Sequence, residues 1–302
     1  MRLSAADRLL IRAAQAQGMD FSYRRVEVAP SVTLNVATLG SGQPIVLLHG
    51  FPQTHLMWRH VAPRLADAGY QVICPDLRGY GDSDKPDGTA AYAKRVMAAD
   101  VIALAQALGH ERFALAGHDR GALVAIRAGL DHPEHVTHLA SLDVLPTLDS
   151  WEVLQGTGGV VGFHLYLMAA PAPVPERLIA GAPDVFFGHF LDTWGNGSIP
   201  ADFREVYLRA SRNAIPSIIS DYRATATIDV DDDRADRAAG RRLQMPVTVL
   251  QQDWGAALGF DAKARWSAWA TDLTHQTVTA GHFMAEEDPE LVVRHLLALL
   301  DR

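Results

Sequence analysis

The stretch AGHDRGA, residues 116–122, decides how the rest of the chain reads. It follows the apolar run FALA and precedes LVAIRAGL, so an apolar strand runs into an amphipathic helix. Gly117-His118-Asp119-Arg120-Gly121 has the spacing of the nucleophile elbow G-x-S-x-G, a tight strand-to-helix turn that lifts its central side chain clear of the backbone. The centre is Asp119, not serine. Aspartate is also a favoured helix N-cap, so the position has a plain structural reading beside the catalytic one.

Outward from the elbow, strand-like and helix-like segments alternate. Residues 22–39 alternate in polarity and break at Pro30, which predicts a β-hairpin. PIVLLHG (44–50), QVICPD (71–76), RFALAGH (112–118), VTHLASLDVLP (136–146), PVTVLQQ (246–252) and HQTVTAGH (275–282) read as strands. Helices are expected at 57–68, 91–108, 119–130, around 261–271 and over the terminal EDPELVVRHLLALL. Fully apolar strands joined by helices predict a mostly parallel sheet covered on both faces, an α/β fold. The stretch 147–240 breaks the rhythm with Gly, Pro, aromatics and helical patches. It is taken as a helical lid inserted into a core made of residues 1–146 and 241–302. Such a lid would cover the carboxyl edge of the sheet, where open α/β sheets hold ligands.

Elbow chemistry needs a nucleophile, a base and a group that orients the base. Asp119, Asp143 in SLDVLP and His282 in TAGHFM follow predicted strands in the chain order nucleophile, acid, histidine. Asp253 in LQQDWG is a rival orienting acid that falls closer to its strand end. Backbone N–H groups of Phe51, in HGFP, and of Arg120 are placed to form an oxyanion hole. Carboxylate attack on an ester gives an anhydride, an unpromising intermediate. Attack on an sp3 carbon bearing a leaving group gives an alkyl ester, which a histidine-activated water can hydrolyse at the Asp119 carbonyl. Asp119 therefore points to displacement of halide or opening of an epoxide.

Taken together, HGFPQTHLMWRHVAPRLA, DLRGYGDSDKP, GHDRGA, LDVLPT, PAPVPE, DYRA and GHFMAEE resemble the fluoroacetate (haloacetate) dehalogenases of the α/β-hydrolase superfamily, from about residue 20 to the end. The resemblance implies an α/β-hydrolase fold with Asp119 as nucleophile, His282 as base and Asp143 as orienting acid. It implies that Arg120 grips the substrate carboxylate, a task that suits a guanidinium fork. His164 and Tyr222, both in the lid, match residues that donate to the departing halide. Homodimers are usual in this family. Two positions depart from the family pattern: Leu123 stands where a second carboxylate-binding arginine is expected, and Leu165 where a tryptophan donates to the halide. Ser150 stands where a tyrosine is common. The expected pocket is roomier and more apolar. A lost donor at a dry site lowers the rate by about a hundredfold or more, which predicts chloro- or bromoacid substrates and weak defluorination.

Other functions stay open on the residues. An epoxide hydrolase would share the triad and needs hydroxyl acids; Tyr222 with Tyr166 or Tyr207 could supply them. Arg120 argues against neutral substrates, since epoxide hydrolases and haloalkane dehalogenases usually carry tryptophan there. A non-catalytic sensor of a small acid could keep the fold but has no need of His282. An unrelated carboxylate substrate is a further alternative.

Composition bounds the setting. The 302 residues suit one large domain with an insertion, and the net charge of -8 argues against nucleic acid. No apolar run reaches the roughly 20 residues of a membrane span. Cys74, the single cysteine, fits a reducing compartment, and MRLSAADRLLIRAAQAQG lacks the apolar core of a secretory signal, so a cytoplasmic protein with a short N-terminal helix is expected. No metal-ligand spacing stands out among the 13 histidines, and the chemistry requires no cofactor, only water.

Overall fold

A computed structural model of the chain describes residues 21–302. The expected N-terminal helix lies outside the described residues. Eight strands form one sheet in the order β1-β2-β4-β3-β5-β6-β7-β8. They are β1 (Ser22–Ala29), β2 (Val32–Leu39), β3 (Gln43–Leu48), β4 (Tyr70–Pro75), β5 (Phe113–His118), β6 (Val136–Leu142), β7 (Leu243–Gln252) and β8 (Ala270–Val278). The β1–β2 hairpin and the β2–β4 pair are antiparallel, and every other pair is parallel. Ile45–Leu48 and all of β5 are buried, as expected of parallel strands with both faces covered.

The helices of the first half are α1 (Ala62–Asp67), α2 (Lys94–Ala107) and α3 (Arg120–Asp131). Every residue of α3 from Arg120 to Leu130 is buried. Between β6 and β7 every regular element is a helix: α4 (Thr147–Val153), α5 (Gly158–Val161), α6 (Phe163–Ala169), α7 (Val174–Gly181), α8 (Pro183–Thr193), α9 (Ala201–Arg212), α10 (Ile215–Ala224) and α11 (Val230–Ala238), with a π-helical turn at Thr225–Asp229. The buried Arg127 of α3 bonds Asp233 at 2.8 Å and Asp236 at 2.5 Å, which fastens α11 to α3. Four helices follow β7: α12 (Trp254–Leu258), α13 (Ala262–Ser267), α14 (Met284–Glu287) and α15 (Pro289–Leu300). No helix among the described residues is long and apolar enough to cross a membrane.

Several boundaries differ from the sequence reading. The helix expected at 57–68 is a 3-10 turn at His55–Trp58 followed by α1, because Pro63 is tolerated only in a helix's first turn. The helix at 91–108 begins at Lys94 after a separate turn over Thr89–Tyr92. The strand at 136–146 ends at Leu142, since Asp143 takes φ 53° and leaves the sheet. The last strand runs Ala270–Val278, not 275–282. It is a half-exposed edge whose polar residues hide its start, and it puts His282 four residues past the strand rather than at its end.

Strand order positions the site. The connections diverge between β3 and β5, and ligands collect beyond the carboxyl ends at such a switch point. Leu48 pairs with Gly117, His118 with Leu142, and Leu142 with Leu250. The loops carrying Phe51, Asp119, Asp143 and Trp254 therefore leave the sheet at one level. Close approach there requires glycine: a Cβ on Gly121 would sit 2.4 Å from the His49 carbonyl oxygen and 2.5 Å from that of Leu48. Gly121→Ala is expected to destabilise the fold by at least about 2 kcal/mol, a Tm fall of about 4 °C or more by calorimetry. Gly181→Ala, where a Cβ meets nothing within 4 Å, is the matched control and should stay within about 0.5 kcal/mol.

Candidate active site

Asp119 takes φ 47°, ψ -116°, a left-handed backbone that a non-glycine residue holds only under constraint. Its N–H donates to the Leu142 carbonyl at 3.0 Å, and its own carbonyl accepts from Ala122 N at 2.9 Å. The side chain makes no N-cap bond to α3, which removes the plain structural reading of this position. One carboxylate oxygen, Oδ2, accepts instead from Phe51 N at 3.0 Å. Arg120 follows as the first residue of α3.

His282 Nδ1 lies 2.6 Å from Asp143 Oδ2. With Nδ1–H donated to that carboxylate, Nε2 carries the ring's lone pair; it is buried and bonds no described residue. Asp143 is held by further donors: Gln252 N at 2.8 Å, Gln252 Nε2 at 2.6 Å and Trp254 Nε1 at 2.9 Å. Asp253 is turned away and caps α12 through Ala256 N at 2.9 Å. The structure thus brings His282 to Asp143 and not to Asp253. Burial lowers the pKa of His282, but the hydrogen bond and charge of Asp143 and the charge of Asp119 outweigh it, and the net shift is upward. Asp143 is shifted below the usual carboxylate range: burial opposes this, and His282 and Gln252 prevail.

Asp119, Asp143, His282, Arg120, His164 and Tyr222 line one cavity, together with Leu123, Leu165 and Ser150. His164 bonds no described residue through either ring nitrogen, stacks on Phe51 at 6.0 Å, and is pushed by burial down to about 3. The Tyr222 phenol, raised well above its ordinary pKa by burial and by Asp119, keeps its proton for donation. The Ser150 hydroxyl is committed to the Leu145 carbonyl at 3.0 Å. Tyr166 and Tyr207 do not line the cavity; their hydroxyls bond the Leu154 carbonyl and Glu286 Oε1, each at 2.6 Å. Neither is placed as the second hydroxyl acid of an epoxide hydrolase.

Arg120 is more committed than the sequence suggested. Its Nε donates to Asp221 Oδ2 at 2.8 Å, its Nη2 to the Asp221 carbonyl and to the Thr225 hydroxyl, and the guanidinium lies 4.2 Å from the Tyr222 ring centroid. Asp221 also pairs with Lys94 and accepts from Tyr80. Nη1 of Arg120 bonds no described residue and is the fork's remaining donor at a cavity-lining side chain.

Sequence reasoning missed the supports. His118 Nε2–H donates to the His282 carbonyl at 2.8 Å, and its ring lies 4.6 Å from that of His282. Burial pushes His118 down to about 4, so it stays neutral there. Trp194 packs 4.8 Å from His282 and 5.2 Å from His164 and lines the cavity. Asp221 lies in the DYRA motif, and Trp254 beside Asp253, but their partners are distant in sequence and no local spacing announces them.

A half-buried carboxylate, an imidazole aligned by a second carboxylate, and a backbone donor on the first carboxylate are the parts of covalent hydrolysis. The chain belongs to the α/β hydrolase fold family, whose model matches residues 43–289. It is 39% identical to a fluoroacetate dehalogenase of Burkholderia sp. over 93% of this chain and 94% of that protein. It is 34% identical to a soluble epoxide hydrolase of Corynebacterium sp., over 86% and 91%. A mutant of a candidate epoxide hydrolase from Pseudomonas aeruginosa, solved with bound MFA, superposes with a TM-score of 0.88 at 42% identity, covering 93% of this chain and 96% of that one.

The His282–Asp143 pair makes a direct prediction. Its contribution on the histidine side is complete below the unfolded histidine value and is lost as pH rises through the raised folded value. On the aspartate side it is present above the unfolded carboxylate value and lost as pH falls through the depressed one. Nitrogen NMR of His282 should show titration above the ordinary histidine range in the native protein. Asp143→Asn should bring it down by about one unit or more; an unmoved midpoint would discount the pair.

Proposed function

We propose that the protein is a hydrolytic dehalogenase of short 2-haloacids that works through an aspartyl ester. The observation that carries this reading is the Asp119 carboxylate on the elbow, with Oδ2 on the Phe51 N–H at 3.0 Å, in one cavity with the His282–Asp143 pair. The substrate carboxylate takes Arg120 Nη1, which turns C2 toward Asp119. Oδ1 attacks C2 as the carbon–halogen bond breaks, and halide departs toward the Tyr222 hydroxyl and the neutral His164. The ester carbonyl, Oδ2, stays with the backbone N–H groups of Phe51 and Arg120. Water then loses a proton to His282 Nε2 and attacks Cγ of Asp119. The tetrahedral oxyanion collapses, releasing the 2-hydroxyacid and restoring the carboxylate; the proton leaves His282 to solvent.

The elbow chemistry alone also fits an epoxide hydrolase. Against that reading, Tyr222 is the single tyrosine among the described cavity-lining residues, and a positive side chain stands beside Asp119. A non-catalytic acid-binding protein would have no use for an aligned imidazole. A homodimeric assembly is proposed on the family resemblance, and light scattering of the purified chain decides it.

The test is halide release from fluoro-, chloro- and bromoacetate and 2-chloropropionate. Chloride and bromide should appear and vanish in Asp119→Asn, and single turnover in 18O-water should place the label in Asp119. With Leu165 in place of a donor, fluoride release should trail chloride release by about a hundredfold. Diol formation from epoxides without halide from any acid would replace this reading.

A further inference from the structure

We propose that the cavity takes an unbranched apolar chain on C2 of the acid, so that its preferred substrates are 2-haloalkanoates of about four to six carbons rather than haloacetates. This rests on the dehalogenase reading and names the substrate class of the same site.

The cavity has two chemically distinct parts. Asp119, Arg120, Asp143, His164, Tyr222 and His282 supply the polar groups. Thr147, Ser150, Thr225 and Gln251 also line the cavity, and Leu123, Leu145, Leu154, Leu165, Leu258 and Phe260 give it a large apolar surface. Leu123, in the first turn of α3, donates its N–H to the Asp119 carbonyl at 3.2 Å, and both residues line the cavity. Leu165 directly follows His164 and lines the same cavity. Leu258 of α12 comes near α5 beside this lining: a Cβ on Gly158 would lie 3.7 Å from Leu258 Cδ2. The Ser150 hydroxyl, which could have made this region polar, is bonded to the Leu145 carbonyl.

A haloacetate spans only Asp119 and the Arg120 fork. It leaves the leucine wall uncovered, and that unburied apolar surface contributes nothing to binding. A chain on C2 covers the wall. With Leu123 in place of a second carboxylate-binding arginine the site holds no spare cation, since Asp221 and Lys94 already complete the charge around Arg120. Halogenated dicarboxylic acids are therefore disfavoured, and chain length is rewarded.

The experiment measures kcat/KM for chloride release from 2-chloropropionate, 2-chlorobutyrate, 2-chlorovalerate and 2-chlorohexanoate. All four react at a secondary carbon, so the intrinsic displacement step is held constant. Each methylene should raise kcat/KM about fourfold, several tens of times across the series, and chlorosuccinate should fall below 2-chlorobutyrate. Leu258→Asp and Phe260→Gln, made separately, should flatten the gradient while turnover of 2-chloropropionate persists. Calorimetric binding of butyrate through heptanoate to Asp119→Asn reads the chain site without chemistry. Chloride release with a flat or falling gradient overturns the inference and leaves the dehalogenase standing. No halide from any acid, with affinity still rising along the fatty acids, overturns the reaction and supports the chain site. Flat affinity together with absent turnover overturns both.

Discussion

The site depends on one backbone constraint, the left-handed conformation of Asp119 at the junction of β5 and α3. Isolated, that geometry is unfavourable by about 1–3 kcal/mol. It persists because the surroundings over-determine it. The Asp119 N–H is held by the end of β6, α3 starts immediately afterward, and Gly121 lets the helix press against the Leu48 and His49 carbonyls. Relaxing Asp119 would therefore mean moving a wholly buried helix off the sheet. The same turn denies the carboxylate its capping role and offers it to the Phe51 N–H. Strand order, helix packing and the exposed carboxylate are three consequences of one turn.

A second constraint allots a proton. Three buried histidines, His118, His164 and His282, lie close together. Burial alone would keep all three neutral at working pH. Two are pushed to about 4 and about 3, and only His282, with Asp143 at its Nδ1, is shifted upward. The cluster thus has one basic member, and its neighbours act as neutral partners. His118 holds the His282 backbone by its Nε2–H, a bond a protonated ring would not improve. A charged His118 would instead oppose formation of an imidazolium 4.6 Å away. Asp143 can serve this role because four donors, His282 included, satisfy it; a lone buried carboxylate would itself tend to take the proton.

Much of this was legible in the sequence, and what was not has a physical reason. Apolar runs around 45–48 and 113–118 are strong signals because a parallel sheet buries both faces, and the GHDRG spacing carried the elbow. Asp143 was separable from Asp253 only by distance from a strand end, a difference of a residue or two. In the structure Asp253 completes its own helix cap, whereas Asp143 accepts from His282, from both nitrogens of Gln252 and from Trp254. The last strand was misplaced because an edge needs no apolar face on its open side. The partners of Arg120 were illegible: Lys94, Asp221 and Arg120 meet across 127 and 101 residues of chain, and nothing local marks such a meeting.

That meeting sets the electrostatic character of the pocket. Arg120 stands beside Asp119, yet its charge is already shared with Asp221, which is shared in turn with Lys94, itself 3.4 Å from Asp229. Two cations and two anions close on themselves, so Arg120 offers a directional donor more than an unbalanced charge. An unpaired arginine so deeply buried would be costly to desolvate; the network makes the residue tolerable and fixes its plane with one edge turned to the cavity. A second arginine at position 123 would have left net positive charge to hold a small anion by Coulomb attraction. Leucine there shifts the work of binding from charge to apolar contact. On the haloacid proposal the anion must still approach the Asp119 carboxylate, and with so little free positive charge the opposing attraction has to come from surface that water leaves readily. The leucine wall and the compensated arginine are therefore two sides of one design: the less charge the pocket offers, the more of the ligand it must bury.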